Sequence, residues 1–180
     1  AFNNNLNPDI IIGDMDSISP DSNSKLSDKI IKIDEQNTND LSKALNWINQ
    51  KNVDSVTIIG ADGYREDHSL GNILLILENK YKYKVSIIAE FGRFDLINNE
   101  MISSNDNNNH LFKSFKGQGV SIFSLDKKAV FNSKGLKYPL NNFSFSRFYD
   151  ASLNIATESS FSISCNKKDT NIRKIIERVK

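Results

Sequence analysis

The stretch Ile10-Ile11-Ile12-Gly13-Asp14-Met15-Asp16-Ser17 sets a run of β-branched residues against an abrupt glycine and two carboxylates. Such a run reads as a short buried strand, because branched side chains pack well on a pleated surface and are restricted in a helix. Asp14 and Asp16 then fall at the carboxyl end of that strand, where open α/β sheets collect their ligands. Two carboxylates in that place suggest a hard cation.

Downstream the same grammar recurs. Lys29 to Ile33 is a second short apolar run, followed by the loop Asp34 to Asp40 and a helix whose apolar positions Leu41, Ala44, Leu45 and Ile48 keep helical spacing. Thr38 or Asn39 is the candidate N-cap, which puts Asp40 in the first turn, either complementing the helix dipole or projecting into a site. Val53 to Ile59 is the next strand, ending in Gly60-Ala61-Asp62-Gly63, and Leu70, Ile73, Leu74 and Leu77 mark a second helix. Lys84 to Ala89 is one more strand. Alternating strands and helices argue for a parallel sheet with covering helices.

The texture changes between residues 92 and 110. Val120 to Leu125, Ala129 to Phe131, Phe143 to Phe145 and Ser160 to Ser164 alternate apolar with polar residues between turn-forming segments, the pattern of antiparallel sheet. The tail carries Ile172, Ile175, Ile176 and Val179 at helical spacing behind Asp169-Thr170, although a final strand would also complete a sandwich. The expected fold is therefore α/β, with a parallel-sheet, Rossmann-like catalytic domain over residues 1–99 and an all-β sandwich-like domain over residues 100–180.

Composition narrows the partners. With 23 Lys and Arg against 22 Asp and Glu the net charge is +1, so no broad basic field advertises nucleic acid or an anionic membrane. No window approaches the roughly 20 apolar residues of a membrane span, and the N-terminus lacks the pattern of a signal peptide. The single Cys165, which reads as a buried strand residue, cannot form an intramolecular disulfide, and a cytoplasmic location is the expectation. The asparagine-rich tracts at 3–5 and 103–109 read as solvated loop.

Three loops carry the chemistry: Gly13 to Ser17, Gln36 to Asp40, and Gly60 to His68. On neighbouring parallel strands their acidic residues would share one sheet edge, and Mg²⁺ suits such a place because it needs few carboxylates when phosphate oxygens and water complete its shell. Arg65 supplies a cation for phosphate, while Asp67 is either the cap of the following helix or part of a phosphate cradle. No Walker-type loop or G-x-G-x-x-G is present.

In this order the three segments resemble the motifs of thiamine pyrophosphokinase (thiamine diphosphokinase): a Gly-Asp-x-Asp-Ser motif, a Gln-x-x-x-Asp-Leu-x-Lys-Ala-Leu-like motif over Gln36 to Leu45, and a Gly-x-Arg-x-Asp-His-x-x-x-Asn motif over Gly63 to Asn72. Gly135-Leu136-Lys137-Tyr138-Pro139-Leu140 resembles the family's substrate-side motif, ahead of Ser152-Leu153-Asn154 where the family more usually has a contiguous Ser-Asn. A further strand and helix that the family carries at its start has no counterpart before Pro8.

The resemblance implies transfer of a pyrophosphoryl group from ATP, as co-substrate, to the hydroxyl of thiamine. It implies Mg²⁺ held by Asp14, Asp16 and Asp40, with Arg65 on the phosphates and Asp67 holding the metal or accepting the alcohol proton. Gln36, Asn39, Ser69 and Asn72 would orient phosphate or substrate. Tyr138 would offer its ring face to the thiamine cation, with Ser152 and Asn154 as hydrogen-bonding partners; without the resemblance Tyr138 reads as a core or turn residue. A homodimer with thiamine sites at the subunit interface is also implied. The rivals are an Mg²⁺-dependent phosphohydrolase or nucleotidyl transferase using the same carboxylates, and a non-catalytic nucleotide- or thiamine-binding module.

Overall fold

β1 (Ile11–Gly13) and β2 (Ile30–Lys32) pair in parallel, with Ile11 opposite Ile30 and Gly13 opposite Lys32, in a computed structural model that describes residues 7–16, 27–62, 65–98, 109–165 and 173–179. Ser17, the turn at 19–24, Gly63, the polar tracts at 3–5 and 103–108, and the cap at Asp169-Thr170 lie outside the described residues. Helix α1 (Asp40–Ile48) follows β2. Of the two candidate caps it is Asn39 that acts, its side-chain oxygen accepting from the Ser42 N–H at 2.8 Å. Leu45 on the apolar stripe is 2% exposed.

The chain divides into two compact units, Ala1–Asn52 and Val53–Lys180. The second begins with a strand-helix-strand unit: β3 (Ser55–Ile59), α2 (Glu66–Glu78) and β4 (Lys84–Ile88), with β3 and β4 parallel and in register from Ser55 opposite Lys84 to Ile59 opposite Ile88. Ile76 and Leu77 are the buried side chains of α2, whereas Leu70 is exposed. The remaining strands are β5 (Gly92–Asn98), β6 (Asn109–Lys113), β7 (Gly119–Ser124), β8 (Phe131–Lys134), β9 (Ala151–Ile155), β10 (Ser160–Cys165) and β11 (Arg173–Val179).

Six strands form one mixed sheet in the order β3-β4-β5-β11-β7-β9, and three form a second in the order β6-β10-β8. The fold is thus mixed α/β and rich in sheet. Among the described residues parallel pairing, expected throughout the first half, is confined to β1 with β2 and β3 with β4; β5 turns back antiparallel on β4. A hairpin-like return needs only the short link Ala89 to Phe91, while another parallel strand would need a second crossover of a dozen or more residues. Residues on both sides of position 99 share the large sheet.

Two further expectations change. Helical spacing at the tail gives way to β11, which inserts between β5 and β7 and pairs with both, so its backbone is hydrogen-bonded on two sides and Ile176 is fully buried. Asn109, the last residue of the tract that reads as solvated loop, begins β6, where the His110 ring centroid lies 6.5 Å from that of Phe112. The second unit's core gathers Phe112, Phe131, Phe145, Phe161, Ile122, Ile163 and Ile176, with Phe112 and Phe161 stacked at 5.0 Å and Phe131 edge-on to Phe145 at 5.2 Å. Cys165 is buried on β10, as its pattern predicts.

Candidate active site

In the first unit the motif residues cluster around a cation. Lys43, one turn along α1 from Asp40, is 4% exposed and places its ammonium 3.3 Å from Asp40 Oδ1 and 3.7 Å from Asp14 Oδ2. Gly13 leaves room for Asp40 at the end of β1: a Cβ there would stand 3.1 Å from Asp40 Oδ1, and the Asp40 side chain would have to give way slightly. Asp14 is also held from its own turn, where its carboxylate accepts the Asp16 N–H at 3.2 Å across Met15, whose φ of 71° lies in the left-handed region. That backbone bond, aided by the Lys43 charge, keeps the Asp14 carboxyl below its usual range.

Asp16 is exposed beside this cluster and Gln36 is exposed on the following loop. The loop is braced by Glu35, whose carboxylate accepts from the Asn37 N–H and from the Thr38 hydroxyl, which lowers the Glu35 pKa. Among the described residues no three His, Cys, Asp or Glu side chains come together as a metal cage. The expected set Asp14, Asp16 and Asp40 is not gathered into such a group, and Lys43 lies within salt-bridge distance of two of its members. Lys43 carried no role in the sequence reading, although its i, i+3 relation to Asp40 on a helix was the available signal.

In the second unit Arg65 and Asp67 form a two-pronged pair at the start of α2, Nε to Oδ1 at 3.1 Å and Nη2 to Oδ2 at 2.6 Å. Arg65, with extended backbone, is the N-cap residue, so Asp67 lies in the first turn rather than capping it. The Arg65 partner lowers the Asp67 pKa. Ser69 bonds back to the Arg65 carbonyl, His68 is exposed, and the Asn72 amide donates to the Ala61 carbonyl at 2.9 Å, tying the loop after β3 to the helix. Asp62 in the same loop accepts the Glu90 N–H.

The third group lies on residues 135–140 and β9. Gly135 takes φ 76° and a Cβ there would lie 2.6 Å from the Ser160 carbonyl oxygen, so the segment can pass only with glycine. Leu136 and Leu140 turn into the core and Tyr138 between them is 58% exposed. Backbone bonds from Lys137 to Ile155 and from Thr157 to Gly135 fasten the segment to β9 and the residues beyond it, and the Lys137 ammonium lies 5.3 Å from the Tyr138 ring centroid. Asn154 is buried and its amide faces the backbone of Tyr138, while Ser152 is half-buried and donates its N–H to the Tyr149 carbonyl.

Both halves of one enzyme family are recognisable in this chain. The model for the thiamin pyrophosphokinase catalytic domain matches residues 1–89, and that for the thiamin pyrophosphokinase substrate-binding domain matches residues 104–169. The chain belongs to the thiamin pyrophosphokinase family. The carboxylate and arginine motifs fall in the catalytic-domain match, and Tyr138, Ser152 and Asn154 in the substrate-binding match.

A thiamine pyrophosphokinase of Bacillus subtilis (strain 168) is 31% identical over 109 residues, which make up 60% of this chain and 48% of that protein. The match thus spans about half the length of that relative. Among solved structures, the thiamine pyrophosphokinase of Bacillus subtilis aligns with a TM-score of 0.75 at 22% identity over 99% of this chain and 81% of that one. The Candida albicans enzyme aligns with a TM-score of 0.74 at 20% identity over 98% and 74%. At these identities the structural likeness speaks for the thiamin pyrophosphokinase fold.

Proposed function

We propose that the chain is a thiamine diphosphokinase, which moves a pyrophosphoryl group from ATP to the hydroxyl of thiamine and yields thiamine diphosphate and AMP. What carries this reading is that one chain holds both family halves, with their charged motifs and their exposed aromatic segment in order. Residues 1–99, which hold two parallel strand pairs together with α1 and α2 among the described residues, are read as the Rossmann-like part that handles ATP, and residues 100–180 as the sandwich-like part that takes thiamine.

The alcohol oxygen attacks the β-phosphorus as its proton passes to solvent, the bond from that phosphorus to the AMP oxygen breaks, and AMP leaves. Such a transfer needs positioning and charge neutralisation more than covalent help. Asp14, Asp40 and the exposed Asp16 offer hard oxygen donors, and the grouping of Asp14 and Asp40 about one cation in the first unit fits Mg²⁺, which asks for only one or two carboxylates beside phosphate and water. Bound there, Mg²⁺ would neutralise developing phosphate charge.

Arg65, oriented by Asp67, is read as a phosphate fork; a carboxylate with a lowered pKa is a weak base at neutral pH, so Asp67 serves better by orienting Arg65 than by taking the alcohol proton. Gln36 and Ser69 are read as polar contacts to phosphate or substrate. Asn39 and Asn72 serve by holding the helix start and the loop that carry these groups. Tyr138 presents its ring face to the thiamine cation, and Ser152 is read as a hydrogen-bonding partner of the substrate. We also read the protein as cytoplasmic, and as a homodimer with thiamine at the subunit interface, the latter supported by the exposure of Tyr138. No helix among the described residues is long and apolar enough to cross a membrane.

The deciding experiment incubates the protein with ATP, Mg²⁺ and thiamine and identifies the products. Thiamine diphosphate and AMP in equal amounts are expected, and Asp14→Asn should lower turnover at least about 100-fold while the circular dichroism spectrum stays that of the wild type. Release of ADP or free phosphate without thiamine diphosphate would overturn the proposal.

A further inference from the structure

Asn154 sits where simple alternation along β9 would not put it. Ala151 is buried, so Leu153 should face inward and Asn154 outward; instead Leu153 is 84% exposed and Asn154 is 3% exposed. The inversion has a visible cause. Leu153 takes φ 58°, the β7–β9 register shifts between Val120 and Ile122, and the Leu153 N–H donates to the Ser121 hydroxyl at 3.2 Å, which together make a bulge that flips the phase of the strand.

Turned inward, the Asn154 amide bonds both the N–H and the carbonyl of Tyr138. Its Oδ1 accepts the Tyr138 N–H at 3.0 Å, and its Nδ2 donates to the Tyr138 carbonyl at 2.6 Å. The same Oδ1 accepts the Ile155 N–H at 2.9 Å. A side-chain amide can mimic a neighbouring strand's backbone in this way, and being buried it has no water to compete with it. Tyr138 is then an exposed ring on a fixed backbone, since Leu136 and Leu140 are anchored in the core on either side.

We propose that Asn154 is a positioning residue, which shapes the thiamine-binding surface through the Tyr138 backbone instead of touching the ligand, and that the bulge at Leu153 exists to aim it there. This rests on the reading of Tyr138 as the ring that meets thiamine. Rigid presentation favours binding because the ordering of the Tyr138 segment is complete before the ligand arrives.

The test joins hydrogen exchange at the Tyr138 amide to thiamine titration by calorimetry on the full chain. Asn154→Ala should lower protection of that amide at least tenfold and raise the thiamine Kd several-fold. Asn154→Asp, which keeps an acceptor for the Tyr138 N–H, should fall between Asn154→Ala and wild type in both readouts and covers the case in which the alanine variant does not fold. Asn154→Ala in a Tyr138→Ala background should add little to the loss, because Asn154 acts only through that ring. Additive losses, or an Asn154 variant with weakened binding and unchanged Tyr138 protection, would overturn the proposal by pointing to direct contact. A wild-type protein that fails to bind thiamine would instead overturn the functional reading, with the amide protection still deciding whether the clasp exists.

Discussion

Lys43 shows how one side chain reshapes a site. Its ammonium is buried within 4 Å of two carboxylates that the sequence assigns to a cation site, so the cluster holds a positive charge of its own. Removing one partner of a buried pair leaves the others uncompensated, and the exposure of Asp40 moderates the loss through solvent screening. Lys43→Met is expected to destabilise the protein by about 1–2 kcal/mol. Added Mg²⁺ should raise the thermal midpoint of this variant more than that of the wild type, as a ligand that binds only the folded state must. Equal or absent Mg²⁺ shifts in the two proteins would sink the assignment of Asp14 and Asp40 as cation donors. The carboxylates were legible as an Asp-x-Asp turn and a first-turn acid; the lysine between them was not, because which side chain fills a gap depends on packing.

At the scale of elements, local signals performed well where chemistry is local. Asn39 caps α1, and the strand-helix-strand alternation from Ser55 to Ile88 was readable from periodicity and glycine punctuation. The segment 135–140 also obeys a local rule, since the backbone at Gly135 is left-handed and its Cα faces the Ser160 carbonyl. Gly135→Ala should therefore destabilise by about 2 kcal/mol or more, read as a lower urea midpoint with unchanged slope, because both the dihedral and the contact are unfavourable for alanine. A variant as stable as the wild type would mean that the segment relaxes freely. Periodicity misled at β11, where isoleucine spacing suits a helix of about two turns. The strand wins because β5 and β7 offer two edges whose N–H and C=O groups it satisfies along its length.

For the whole molecule, charge and burial set opposite pH limits. Asp14, Asp67, Asp150 and Glu35 have lowered pKa values from hydrogen bonds and nearby cations, so the stability they contribute is present above about pH 4 and is lost as pH falls through their folded values. Tyr81 and Tyr83, tilted against each other at 5.4 Å, are pushed up to about 12 by burial. Phenols held neutral in the fold bind more protons than those of the unfolded chain once pH passes 10.0, so stability must fall from there towards about 12. The thermal midpoint should decline across that alkaline window, and Tyr81→Phe should reduce the decline; an unchanged alkaline slope in the variant would contradict it.

The amino-acid sequence by itself determined the order of the motifs, the two helices and the cap of α1, the first strands and the chemical kind of each loop, since these follow from residue type and spacing over a few positions. Tertiary structure alone decided that β5 runs antiparallel, that the tail is a strand, that Lys43 meets Asp14 and Asp40, and that Asn154 turns inward to hold Tyr138. Those outcomes depend on which sheet edges and buried polar groups are left to be satisfied when distant segments meet. No local period encodes that choice.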